Sequence, residues 1–69
     1  MKFLSYEKVN SFEIVNDGGY PVVSFEILED KKLVEVLEQC DNHYSARLNI
    51  NDMKLLIKKL NDMVDKLNN

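Results

Sequence analysis

The chain has 69 residues, 45% of them hydrophobic and 30% charged, with a formal net charge of −3. A chain of that size makes one small domain that buries only about 60% of the surface its unfolded form exposes, so an added source of stability is expected. A single cysteine excludes an internal disulfide, one Cys with one His cannot build a four-ligand zinc site, and no apolar run reaches membrane-span or signal-peptide length.

Oligomerisation is the helper left, and a homodimer is the expected form. The sequence reads as a cytoplasmic protein with a reduced thiol, without cofactor or metal. Charge is unevenly spread. Residues 21–43 carry Lys31 and Lys32 against Glu26, Glu29, Asp30, Glu35, Glu38 and Asp41, a local −4. Residues 44–69 carry Arg47, Lys54, Lys58, Lys59 and Lys66 against Asp52, Asp62 and Asp65, a local +2. A wholly basic nucleic-acid binder does not look like this.

Residues 1–10 fit neither the helical nor the strand period, and read as an extended lead-in or a frayed short strand. From Ser11 alternation begins, with Phe12 and Ile14 on one side of a strand and Ser11, Glu13 and Val15 on the other. Asn16-Asp17-Gly18-Gly19 is a dense turn signal, and Tyr20-Pro21 opens the second strand of a hairpin. Val23, Phe25 and Ile27 then line one face, and Val22, Ser24, Glu26 and Leu28 the other. Glu29-Asp30-Lys31-Lys32 turns the chain back.

Leu33 to Gln39 satisfies two periods. Its β-branched valines, its shortness and its flanking turn signals favour a strand, while a short helix over 30–40 with Asp30 as N-cap is the alternative. After a turn at Cys40-Asp41-Asn42-His43, the cleanest alternation in the chain places Tyr44, Ala46, Leu48 and Ile50 on one side. A helix over 51–67 follows, with Asn51 as N-cap and an Ile50–Leu55 hydrophobic staple. Its apolar residues Met53, Leu56, Ile57, Leu60, Met63, Val64 and Leu67 form one stripe roughly 120° wide, suited to covering a sheet. The expected fold is α+β: a four-stranded antiparallel meander over 11–50, then one amphipathic helix on one sheet face.

Candidate chemistry is sparse. Cys40 and His43 beside Asp41 suggest a nucleophile with a base, but a tight turn does not hold the geometry catalysis needs. Gly18-Gly19 lacks the spacing and the following helix of a phosphate loop. Arg47, Lys54, Lys58 and Lys59 make a small basic patch, diluted by nearby aspartates. Glu26, Glu29, Asp30, Glu35, Glu38 and Asp41 are the larger feature. In a meander they approach one another as a negative surface able to imitate spaced phosphates and occupy a basic groove. One helix covers only one sheet face, so apolar groups on the other face also point to an interface.

The order of four antiparallel strands and a helix over 11–67 is similar to the single-stranded-DNA-binding domain of the positive-cofactor-four transcriptional coactivators. The junction Leu48-Asn49-Ile50-Asn51-Asp52-Met53 is its closest local echo. The resemblance implies a dimer and weak single-stranded nucleic-acid binding, although the family's basic and aromatic strand residues have no clear counterparts here. In style the chain is also similar to small acidic accessory proteins of bacteriophages and mobile elements, some of which inhibit host nucleases, including as anti-CRISPR proteins. The expectation is a non-enzymatic, homodimeric protein-binding protein acting through its acidic hairpins. The alternative is a nucleic-acid binder using Arg47 and the helix lysines.

Overall fold

The computed structural model describes residues 1–38 and 45–69. Five strands, β1 (Lys2–Tyr6), β2 (Ser11–Val15), β3 (Pro21–Leu28), β4 (Leu33–Glu38) and β5 (Ser45–Leu48), precede one helix, α1 (Ile50–Leu67). The strands form one antiparallel sheet in chain order. The α+β class and the meander followed by a C-terminal helix are as expected. The expected count of four strands, which the coactivator resemblance shares, is corrected to five. Residues 2–6 pair with β2 along its whole length.

β4 settles residues 33–38 of the ambiguous segment as strand. A single 3₁₀ turn, Glu29–Lys31, and that strand stand where the described part of the alternative helix over 30–40 would lie. Both connections at that end of the sheet have the same form, Glu7–Val9 followed by Asn10, and Glu29–Lys31 followed by Lys32. Each ends on a residue with positive φ, 50° at Asn10 and 54° at Lys32. At the opposite end Asn16 clamps the β2–β3 turn, its Oδ1 accepting from the Gly18 and Tyr20 backbone N–H groups at 3.0 Å each. Gly19 there takes φ +86°, which a residue with a side chain rarely adopts. A bulge between Ile14 and Val15 adjusts the register beside this turn.

Directly opposed residues share a face, so the register sorts the sheet into two unlike sides. Phe3, Ile14 and Val23 share one side with Phe12, Phe25, Val36 and Ala46, and with Ile27, Val34 and Leu48. Phe12 stacks on Phe25 with ring centroids 4.9 Å apart, and Phe3 continues the row at 6.2 Å. The other side carries Tyr6, Ser11, Glu26, Glu35 and Arg47 in one row, and Leu4, Glu13, Ser24, Leu37 and Ser45 in the next.

The helix cap lies two residues earlier than expected, and the helix starts at Ile50. Asn49, not Asn51, is its N-cap, in a reciprocal capping box: the Asp52 N–H donates to Asn49 Oδ1 at 2.9 Å and the Asn49 N–H to Asp52 Oδ2 at 3.1 Å. The staple positions therefore fall on Leu48 and Met53, both half-buried, while Ile50 and Leu55 are exposed.

Cover of the apolar face is partial. Within α1 only Met53 and Leu56 are half-buried, and Ile57, Leu60, Met63 and Val64 are 50–60% exposed. Met53 borders an open cleft of about 360 Å³ whose walls include Phe12, Phe25, Ile27 and Val34. Among the described residues only Val15 counts as buried, at 3% exposed. The helix leaves a short edge strand in a direction fixed by its cap, so its stripe meets the sheet near the first turns alone.

Two substitutions test these local devices by chemical denaturation. Asn49→Ala removes the capping side chain and is expected to lower stability by about 1 kcal/mol. Lys32→Gly relieves the left-handed backbone at the end of the β3–β4 turn, and is expected to raise stability by up to about 1 kcal/mol.

Candidate functional site

The acidic residues divide into groups by strand register. Glu26 lies directly opposite Glu35, on the sheet side that faces away from the Phe12–Phe25 stack. Glu13, one strand further out, lies opposite Ser24 on that same side. Tyr6, Ser11, Glu13, Ser24, Glu26 and Leu37 line a shallow depression there. Three carboxylates on adjacent strands thus share one partly solvated surface interspersed with hydroxyls.

Like charges directly opposed across a strand pair destabilise it. Glu35 has a compensating neighbour, since Arg47 Nε donates to its Oε2 at 3.4 Å from the next strand. No described cation forms an ion pair with Glu26. Tyr6 attends to Glu13. Its hydroxyl donates to the Glu13 carboxylate, and that bond, with the carboxylate's charge and a little desolvation, raises the Tyr6 pKa above its ordinary 10.0. Of the three carboxylates the two outer ones are thereby engaged, Glu13 by a phenol and Glu35 by a guanidinium, with Glu26 between them.

Glu29 and Asp30 sit in the β3–β4 turn and border a second depression with Lys8, Asn10 and Glu26. The Asn10 amide donates to Glu29 Oε1, tying the two like-shaped turns together. Glu38 departs from this set. It lies opposite Val23, so its register position belongs to the apolar side near the far end of the sheet. Asp41, together with Cys40 and His43, lies outside the described residues.

The residues of the basic patch lie on two elements, β5 and α1. Arg47 is engaged by Glu35 on the acidic side, whereas Lys54, Lys58 and Lys59 are exposed along α1. Glu13 is not among the acidic residues that the sequence singles out. Its signal was its place between Ser11 and Val15 on the polar side of β2, but only the β2–β3 register brings it beside Glu26. Among the described residues no group of three or more His, Cys, Asp or Glu side chains is arranged to hold a metal ion. No described helix is long and apolar enough to cross a membrane.

Comparison with protein-family models, with curated proteins and with solved structures finds no match for this chain.

The Tyr6–Glu13 bond has a pH signature. The folded pKa of Tyr6 is raised, so the bond stabilises the fold below pH 10.0 and is lost as the pH climbs through the higher folded value. An absorbance titration of phenolate is expected to resolve a tyrosine ionising above 10.0. Glu13→Gln should bring that tyrosine back toward its ordinary value.

Proposed function

We propose that this is a small non-enzymatic binding protein, homodimeric and cytoplasmic, which engages a basic segment of another protein through Glu13, Glu26 and Glu35. The observation that carries the reading is the direct Glu26–Glu35 opposition within the sheet, with Glu13 on the adjacent strand. Opposed carboxylates lower the stability of a small domain, and Arg47 compensates only one of them. A cationic partner would offset the remaining repulsion on binding.

Adjacent strands stand about 4.8 Å apart, so carboxylates on β2, β3 and β4 offer negative charge at spacings on the scale of a nucleic-acid backbone. That spacing suits an inhibitor that fills a groove otherwise taken by phosphates. Such contacts steer association and select the partner more than they add raw affinity. The turn carboxylates Glu29 and Asp30 extend the surface at one end.

Titration with an oligo-arginine peptide at low salt tests the reading. Binding is expected, and Glu26→Lys with Glu35→Lys should weaken it by roughly tenfold or more, ~1.4 kcal/mol, while circular dichroism stays unchanged. Glu38→Lys, on the other side of the sheet, should have little effect. Unchanged peptide affinity in the double variant would sink the proposal. So would tight binding of a single-stranded oligonucleotide that is lost on Lys58→Glu and at higher salt.

A further inference from the structure

The described fold leaves two apolar surfaces without a partner. One is the sheet side bearing Phe3, Phe12, Phe25 and Ile27, of which Phe3 is 61% exposed. The other is the α1 stripe from Ile57 to Leu67. We propose that a second copy of this chain covers both: the far half of α1 from each protomer lies across the apolar sheet side of its partner, about a two-fold axis. This deepens the homodimer of the preceding section by assigning its interface.

Surface area argues for an occupant of this size. A folded monomer of 8.1 kDa is expected to expose roughly 4,500 Å². The chain exposes 5903 Å², an excess of about 1,400 Å² over that scaling. Two copies that hide the excess from each other bury about 2,800 Å² in total, within the roughly 2,000–5,000 Å² range of obligate dimers. Shape agrees. The radius of gyration is 13.3 Å, against about 11 Å for a compact chain of this length.

Geometry selects helix on sheet over helix on helix. A two-helix seam uses a narrow stripe at a and d positions, whereas the α1 stripe is roughly 120° wide, the width that covers a sheet. Ile57 to Leu67 extends about 15 Å along the axis, close to three strand spacings. It therefore reaches across most of the sheet. The stripe itself carries no charge, and among the described residues the sheet side carries only Glu38 near its far end, so no ion is desolvated at the centre. In an isologous contact every stripe residue finds the same groove twice, and one interface relieves both surfaces at once. A membrane surface fits less well. The polar side of α1 opposes Lys54, Lys58, Lys59 and Lys66 with Asp52, Asp62 and Asp65, and the chain is acidic overall.

Sedimentation velocity at micromolar concentration is expected to give twice the 8.1 kDa chain mass. Leu60→Glu with Val64→Glu should dissociate that species. Because the double variant could unfold, a photo-reactive phenylalanine analogue at Met63 provides the independent reading. It should yield a covalent dimer joined to strand residues of the second copy, within 21–28 or 33–38. A monomeric mass, a crosslink confined to one chain, or a crosslink from α1 to α1 would each overturn the assignment. Oligo-arginine binding in the same samples separates the two proposals. A monomer that binds the peptide through Glu26 and Glu35 retains the acidic-face reading and loses this one. A crosslinked dimer indifferent to the peptide does the reverse.

Discussion

The stack of Phe12 on Phe25, continued by Phe3, holds the sheet in register, and much else in the molecule follows from that register. Side chains alternate along a strand with a period of two, so a slip of one residue would exchange the apolar and acidic sides of β2 against β3. The ring contact at 4.9 Å penalises such a slip. With the phenylalanines fixed on one side, Glu13, Glu26 and Glu35 are fixed on the other, at cross-strand spacing. The same contact that begins a core thus also sets out the charged surface.

That core is shallow. Among the described residues only Val15 is buried, and the helix that would close the apolar side engages it near Met53 and Leu56 before its stripe meets solvent. The capping box at Asn49 and Asp52 contributes here. It stabilises the first turn and fixes the direction in which the chain leaves β5. A second copy covering that apolar side, as proposed above, would add buried surface where the helix leaves the sheet open, and would link the energetics of the fold to association.

Much of this architecture was legible in the residues. The alternation of Phe12 and Ile14, of Val23, Phe25 and Ile27, and of Ala46 and Leu48 identified three strands and their apolar sides. Asn16-Asp17-Gly18-Gly19 marked the turn that Asn16 clamps. β-branching at Val34 and Val36 correctly favoured strand where helical spacing was also satisfied. β1 was harder because Phe3 lies on one side while Leu4 and Tyr6 lie on the other, and an edge strand half-exposed on both sides need not alternate. The helix start was misplaced because Asn49 and Asn51 are both acceptable caps. The acid three residues after Asn49 was the discriminating signal. The candidate site was less legible: alternation within β4 already parts Glu38 from Glu35, but Glu13 joins Glu26 only through cross-strand register, a non-local property that no single strand encodes.

The two sides of the sheet also bear on how far association can proceed. A sheet apolar on both sides would accept a neighbour above and below, and each neighbour would accept another, giving an open stack. Glu13, Glu26 and Glu35 make one side costly to dehydrate, so layering is confined to the other. Copies meeting through a single sticky side close on themselves and leave no further site for growth. In the proposed dimer the carboxylates would act as a terminator: the charge that weakens the isolated sheet would keep its assemblies finite.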